Sequence, residues 1–578
     1  MITDKYNRED FKTGGYIGVA QINPIAGNFE YNSKKIAENI KYAEDLNLDM
    51  VVFPELSIIG FPIWDMIKRY PFLAEENLKW LNGLAKITKN TAALVGFVEK
   101  SGGEYVNSAA VLRNGKIEFI SRKGINDIYK LNGTNYGICI GEIADSDSDV
   151  IINIASIPSR EGKSYMLTNL LKERASEYKK PIICVNQVGS IDNLSYDGSS
   201  TGVDAKGKIF ARAKSFEEDF IVLNPKTSCG EIEPIYENIS EKNTEFNPEY
   251  KDDLERTYKT IIQGIKDYFS KCGLKRAVLG LSGGLDSSVC AVLLTDALGR
   301  ENVAGISMPS KITSSESKSD AKELAENLGI KFAECPIKSV FDTTSETLLP
   351  LFDEMEQAWT DRYKKSYTPD NIQARARATY LWCISNEFPL CIPIATSDKS
   401  ESYMGYATIN GDMSGGYAPI ADVTKTKLFA LARWMNKNRA QKNVIPQSVI
   451  LKKPGAELAI NPKTGKTLCA EEALMPYEFL DEVIFRIENK GENYQTMLNS
   501  EFYYEKKCNI SKDQKKEWLD KFFSRMSGAL YKWSIAVPSV IVDSYSINKA
   551  EYCQPVTSGR VNYKGLSDEE ISSVLESI

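Results

Sequence analysis

Leu281-Ser282-Gly283-Gly284-Leu285-Asp286-Ser287-Ser288 decides how the second half of the chain folds. It follows an apolar, strand-like run, AVLGL over 277–281, and opens an apolar helical stretch, SSVCAVLLTDALG over 287–299. A glycine-rich turn between strand and helix lets the backbone approach an anion. The free N–H groups at the helix start then point at it. Ser282, Gly283, Gly284, Ser287 and Ser288 are therefore candidate phosphate-binding residues. The loop is not a Walker A loop, which needs GxxxxGK[ST], because it holds no lysine. The bland alternative is a tight strand-to-helix connection; the clustered hydroxyls favour phosphate. Asp286 would repel a phosphate unless a hard cation intervenes, and Mg²⁺ bridges carboxylates and phosphates in this way. A second acid is then expected. Glu401, in Thr396-Ser397-Asp398-Lys399-Ser400-Glu401 after another apolar run, stands where open α/β sheets place ligands. Its alternative role is ordinary capping of a helix start.

Outward from the loop, the chain alternates strand and helix. The stretch ERTYKTIIQGIKDYFSKCG (255–273) is amphipathic and VAGISM (303–308) reads as a strand. SESKSDAKELAENLG (315–329) reads as a helix and IKFAECPI (330–337) as a strand. This alternation predicts a doubly wound parallel sheet. Upstream, YIGVAQI (16–22), MVVFPEL (50–56), AALVGFV (92–98), SAAVLRN (108–114), YGICIGE (136–142), VIINIAS (150–156) and PIICVNQV (181–188) predict strands. Residues 32–46 and 165–179 predict helices, and STGVDAKGKIFARA a hairpin turning at Ala205-Lys206-Gly207. The polar, acidic, aperiodic stretch between the halves predicts a linker. The expected domains are 1–228, a linker over 229–252, and 253–578. No internal repeat or long low-complexity tract is visible.

SGGLDSS, NIQARARATYLWCISNE (371–387), TSDKSESYMGYATINGDMSGGYAPIADVTKTKL (396–428) and KKPGAEL (452–458) together resemble NAD⁺ synthetase. That family belongs to the ATP pyrophosphatase, or adenine nucleotide alpha hydrolase-like, group. GMP and asparagine synthetases share the loop but not the NIQAR and GDMxGG blocks. The resemblance implies that ATP adenylates the carboxylate of nicotinic acid adenine dinucleotide, after which ammonia displaces AMP. It implies Mg²⁺ on Asp286 and Glu401, with ATP and its pyrophosphate on the loop, Thr396 and Lys425. It places Asn371, Arg375, Arg377, Asp412, Lys453 and Glu457 around the dinucleotide. Arg375 and Arg377 read alternatively as surface charges of a helix over 371–386. The glutamine-dependent members usually read TGNKSE where this chain has Ser397-Asp398, and the tail block appears only as Leu530-Tyr531-Lys532-Trp533. At least a dimer is implied, with the dinucleotide site at the synthetase interface.

Residues 15–225 resemble the nitrilase-like glutaminase domain of the long family members, an α-β-β-α sandwich. Its Cys attacks the amide of glutamine, a Glu is the base and a Lys supports the developing charge. Glu55, in Val51-Val52-Phe53-Pro54-Glu55-Leu56, matches the base, and Lys123 the lysine; VNQVG (185–189) and YDGSS (196–200) are further resemblances. Where the family has cysteine, this chain reads Ile138-Cys139-Ile140-Gly141-Glu142, with Gly141 at the nucleophile position. The loop between lysine and nucleophile has also shrunk. The expectation is a pseudo-glutaminase retaining Glu55 and Lys123, and an enzyme fed by free ammonia. The alternatives are a displaced thiol, Cys139, or a drifted dinucleotide-binding scaffold. Retention of Asp286, Glu401 and Lys425 argues against the scaffold.

Composition is consistent with this chemistry. The 578 residues exceed one core and include no histidine, which excludes Ser-His-Asp and Cys-His machinery and His-ligated zinc. The net charge of −7 and the absence of a CxxC pair argue against nucleic-acid partners and a tRNA-thiolating enzyme. The most apolar window, 56–64, is far short of the roughly 20 residues that span a bilayer. The N-terminal stretch MITDKYNREDFKTGG has acids and no apolar h-region, so no signal peptide is expected. The 11 scattered cysteines read as reduced thiols, so a cytoplasmic location is expected.

Overall fold

The computed structural model describes residues 5–233 except 13 and 64, then 246, 248, 253–359, 366–455, 469–547, 569 and 573. The chain divides into two compact units, Met1–Lys242 and Asn243–Ile578. The stretch expected to be a linker lies mostly outside the described residues.

The first unit carries β1 (Ile17–Gln21), β2 (Met50–Val52), β3 (Ala92–Ser101), β4 (Glu104–Arg113) and β5 (Lys116–Arg122). Next come β6 (Asp127–Leu131), β7 (Thr134–Ile140), β8 (Val150–Ala155), β9 (Ile182–Asn186) and β10 (Val188–Ile191). It ends with β11 (Leu194–Asp197), β12 (Thr201–Val203), β13 (Ile209–Arg212), β14 (Asp219–Asn224) and β15 (Cys229–Gly230). One sheet runs β15-β14-β1-β2-β3-β4-β5 and the other β13-β12-β9-β8-β7-β6. Alternate residues of a strand face opposite sides. Ile17, Val19, Leu94 and Val111 of one sheet therefore meet Ile138, Ile140, Ile152 and Val185 of the other in a shared core. The outward set of the first sheet, including Val51, Ala93 and Val95, packs under helices Phe29–Asp45 and Phe72–Ile87. Cys139, Ile151 and Cys184 of the second pack under helix Lys163–Tyr178. This is the expected α-β-β-α sandwich. Every predicted strand of this half is present, and the hairpin joins β12 to β13 with Gly207 at φ 77° in its turn.

The second unit holds β16 (Arg276–Gly280), β17 (Val303–Ser307), β18 (Lys331–Glu334) and β19 (Cys391–Pro393). They form an all-parallel sheet in the order β18-β17-β16-β19. Helices Leu254–Lys271, Leu285–Leu298 and Lys425–Asn438 contribute to the core on one face. Ala376 and Leu381 of helix Thr368–Glu387 pack with Val278 and Ile306 on the other. Strand order reverses at β16, with β17 and β18 on one side and β19 on the other. Open α/β sheets bind ligands in the crevice at such a switch point, beyond the strands' carboxyl ends. A separate apolar cluster joins helices Tyr477–Lys490, Tyr494–Asn499 and Lys512–Trp533 with Tyr403 and Met404.

Candidate functional site

The phosphate-loop candidate leaves β16 and Asp398–Glu401 follows β19, so both motifs stand at the switch point. Gly283 has φ 77°, and a Cβ there would lie 2.0 Å from the Ser317 carbonyl oxygen, so only glycine fits. Ser282 Oγ accepts from Gly284 N at 3.1 Å and lies 3.0 Å from Ser287 Oγ. Ser288 Oγ donates to the Gly284 carbonyl at 2.7 Å and is buried, so this hydroxyl holds the loop's shape.

Lys425 draws the acids together. Its side chain is 0% exposed, and its Nζ lies 2.7 Å from Asp286 Oδ1, 2.7 Å from Asp398 Oδ2 and 3.0 Å from Glu401 Oε1. Burial would lower its pKa; Asp286, Asp398 and Glu401 outweigh that and hold it well above the ordinary lysine value. Burial pushes Asp398 up, against the pull of Lys425. Asp398 also caps the helix Lys399–Tyr403, its Oδ1 accepting from Glu401 N at 2.8 Å. Its Oδ2 makes no aligned hydrogen bond, only the ion pair. Among the described residues no group of three or more Asp, Glu or Cys is arranged to hold a metal by itself. Here the three carboxylates converge on an ammonium. Asp286 and Glu401 are hard oxygen donors directed at one point of positive charge, the donor chemistry that Mg²⁺ takes, so these residues fit the ion.

A second buried ion cluster supports the first. Lys399, also 0% exposed, lies 2.8 Å from Glu488 Oε2, 3.4 Å from Asp422 Oδ1 and 3.3 Å from Asp543 Oδ2. It donates to the Tyr545 carbonyl at 2.7 Å, and Lys427 meets Asp543 at 2.7 Å. Chain segment 542–545 is thereby tied to the residue next to Asp398. Asp481 fixes the same turn from another side. It accepts from Ser400 Oγ at 2.5 Å, Thr426 N at 2.8 Å and Thr426 Oγ1 at 2.7 Å. Burial pushes its carboxyl up to about 7, against those hydrogen bonds. A carboxyl whose pKa is higher folded than unfolded binds more protons when folded. Its contribution is full below about pH 4 and is lost as pH rises through the folded value. Asp481→Asn is therefore expected to flatten the decline of Tm between about pH 5 and about pH 7.5, measured by thermal melts across that range. An unchanged slope would rule Asp481 out as its source.

The expected dinucleotide residues fall in two places. Asn371 Oδ1 accepts from Thr408 Oγ1 at 2.7 Å, and Arg375 Nε donates to the Ile409 carbonyl at 3.2 Å. Asp412 Oδ1 accepts from Thr408 N at 2.5 Å, and Ser397 Oγ, beside Thr396, donates to the Asp412 carbonyl at 3.5 Å. One loop thus gathers Asn371, Arg375 and Asp412 beside the Thr396 turn. Arg377 points elsewhere, donating to the Met308 carbonyl at 3.1 Å, just beyond β17. Lys453 is 81% exposed and 4.0 Å from Glu471, and Glu457 lies outside the described residues.

In the first unit, Glu55 lies just beyond β2 and is buried. A Cβ on Gly96 would meet Leu56 N at 2.4 Å, so glycine in β3 is what lets this turn seat closely. Glu55 Oε1 accepts from Asn107 Nδ2 at 2.5 Å and Lys123 Nζ at 3.3 Å. Gly141 follows β7 with φ 77°, and a Cβ built on it would lie 3.1 Å from Lys123 Nζ and 4.0 Å from Glu55 Oε1. The three positions do meet. Cys139 belongs to the outward layer under helix Lys163–Tyr178, where its Sγ donates to the Ala144 carbonyl at 3.6 Å and burial pushes its thiol up. Every described cysteine is a free thiol.

Sequence reasoning missed Asn107, Asp481 and the site role of Asp398. Only Asp398 carried a signal, as a carboxylate where the resembling family has an amide.

Residues 257–519 match the NAD synthase family, and residues 16–129 match the carbon–nitrogen hydrolase family, a span that includes Glu55 and Lys123. A glutamine-dependent NAD⁺ synthetase of Thermotoga maritima is 36% identical over 522 residues, 81% of this chain and 88% of the relative. The structure of a glutamine-dependent NAD⁺ synthetase from Acinetobacter baumannii, in complex with ADP, is 26% identical. It superposes with a TM-score of 0.68, covering 96% of this chain and 99% of that one. A glutamine-dependent NAD⁺ synthetase from Cytophaga hutchinsonii, 20% identical, shares the fold with a TM-score of 0.77, covering 97% and 99%. Two units of the expected folds, acids and lysine joined at the switch point, and identity along most of both chains lead to one assignment: the chain belongs to the two-domain NAD⁺ synthetase family of carbon–nitrogen ligases.

Proposed function

We propose that the chain amidates nicotinic acid adenine dinucleotide at the expense of ATP, with free ammonia as nitrogen donor, and that its first unit is a glutaminase fold without a working nucleophile. The observation that carries the ammonia reading is Gly141. The position facing both Glu55 and Lys123 has no side chain, and the thiol two residues earlier lies in an apolar layer under a helix. The family's covalent route needs a sulfur to form a C–S bond while the amide C–N bond breaks and ammonia leaves. Glu55 and Lys123 alone provide a base and a charge, but no atom to carry the acyl group.

In the second unit, a carboxylate oxygen of the dinucleotide attacks the α-phosphorus of ATP and the P–O bond to pyrophosphate breaks. Ammonia then attacks the acyl carbon, the C–O bond to AMP breaks, and a proton is lost to solvent. Positioning and charge neutralisation suffice for both steps, so a histidine-free chain loses nothing. The glycine loop cradles the pyrophosphate, with Ser282 and Ser287 at its mouth, and Thr396 contacts ATP. Asn371, Arg375 and Asp412 orient the dinucleotide, and Lys425 fixes the acids. Asp286 and Glu401 would hold Mg²⁺, which when bound neutralises phosphate charge.

A linker between the two units, a cytoplasmic location and at least a dimer belong to the same proposal. No described helix is long and apolar enough to cross a membrane. Mixing the protein with ATP, Mg²⁺, ammonium and nicotinic acid adenine dinucleotide is expected to release pyrophosphate and AMP in step with the amide product. Dinucleotide binding without pyrophosphate release would instead mark a scaffold that has lost turnover.

A further inference from the structure

The three carboxylates around Lys425 are not equivalent. The Asp286 and Glu401 side chains are 27% and 18% exposed, whereas Asp398 is 0% exposed. Mg²⁺ dehydrates reluctantly and keeps several waters, so it can approach the first two acids and not the third. Asp398 Oδ1 is taken by the Glu401 N–H at 2.8 Å, and Oδ2 meets only the Lys425 ammonium, at 2.7 Å.

Both ends of this pair are fixed. Ser402 N and Oγ donate to the Asp398 carbonyl at 3.1 Å and 2.7 Å, and Lys425 N donates to Ser400 Oγ at 2.8 Å. When a divalent cation takes Asp286 and Glu401, the buried ammonium loses two of its three counter-charges to the metal. A buried charge left without a partner is strongly unfavourable. The acid that the metal does not reach is the one still available to the lysine.

We infer that Asp398 is the counter-ion that keeps Lys425 paired while Asp286 and Glu401 turn to the metal, a positioning residue that acts through the lysine. This rests on reading Asp286 and Glu401 as the Mg²⁺ ligands. Asp398→Asn tests it with little change of shape. Asparagine caps a helix as well as aspartate does, so its carbonyl keeps the Glu401 N–H. Its N–H₂ then faces the ammonium, where an anion is needed.

The probe is MnCl₂ titrated alone into the full-length protein, followed by the EPR signal of free Mn²⁺. Asp398→Asn is expected to raise the Kd by about tenfold or more, the scale of one lost charge-assisted contact. In the Lys425→Met background the same substitution should raise it by less than about threefold, because no ammonium is left to satisfy. A Kd unchanged by Asp398→Asn would overturn the inference and leave the metal ligands standing, and a lower Tm beside that unchanged Kd would mark a purely structural pair. A loss that persists in full without the lysine would also overturn it, because Asp398 would then act on the metal directly. No binding by the wild type, or binding that Asp286→Asn leaves unchanged, would instead remove the metal reading itself and the inference with it.

Discussion

Supplied with ATP, Mg²⁺ and nicotinic acid adenine dinucleotide, the purified protein is expected to turn over on ammonium chloride. On glutamine it should run at less than about one-thousandth of that rate, since deleting a covalent nucleophile costs at least that much in comparable hydrolases. The expectation rests on distance and direction. A Cβ at position 141 would stand 3.1 Å from Lys123 Nζ and 4.0 Å from Glu55 Oε1, the span from which a thiol works between base and cation. At Gly141 that place holds only hydrogen. Cys139 cannot take over, because strand parity turns it to the far face of the second sheet, against Leu171 and Ala175. Moving it round would require a one-residue slip of β7, and that slip would drive Ile138 and Ile140 out of the core between the sheets. Cys139→Ala is accordingly expected to leave both rates unchanged. A glutamine-supported rate near the ammonium rate, abolished by Cys139→Ala, would sink the proposal. Product formation followed with each donor, over the wild type and this variant, decides it.

The same residues show what a sequence can disclose. Continuous burial made β1, β3 and β8 readable, because a strand covered on both faces reads as a short apolar run. β5 and β6 were not read: both are edge strands whose runs, Lys116–Arg122 and Asp127–Leu131, interleave exposed polar residues and offer no continuous apolar stretch. The glycine loop was legible because its glycine is forced by a backbone contact, at Gly283 against Ser317. Asn107 was not, since an amide in a strand has no pattern until folding sets it against Glu55. Asp398 stood out as a departure, but its meaning needed the distance to Lys425. Lys452 and Lys453 are adjacent in sequence and opposite in setting. One is drawn to Ser317 and the other is 81% exposed. The helical cluster over 477–533 lay where the family motifs fade, yet it packs against Tyr403 and so reaches the helix that carries Glu401.

Replacing Lys425 with Met is expected to damage both stability and turnover. Removing one partner of a buried ion cluster strands the others, at a cost of about 3–5 kcal/mol. Asp398 is fully buried and the Asp286 and Glu401 side chains are 27% and 18% exposed, so little water reaches the stranded charge. In a unit of this size the loss corresponds to a Tm lower by roughly 4–7 °C in metal-free buffer. The deficit should shrink on acidification. Asp398 and Glu401 already sit above the ordinary carboxylate range through burial, and losing the lysine raises them further. Groups raised in the folded state bind protons that the unfolded chain does not, so the penalty grows as pH rises and is relieved as it falls. MgCl₂ should recover part of the Tm, because the freed carboxylates can take a divalent cation that binds the folded state alone. Turnover should fall by about 100-fold or more even with Mg²⁺ present, the scale seen when a fixed electrostatic group is deleted from an active site. Thermal melts of wild type and Lys425→Met at two pH values, with and without MgCl₂, measure all of this. A variant melting with the wild type in metal-free buffer would mean that the carboxylates do not depend on this ammonium, and the account of the site as a lysine-filled acid cluster would have to be abandoned.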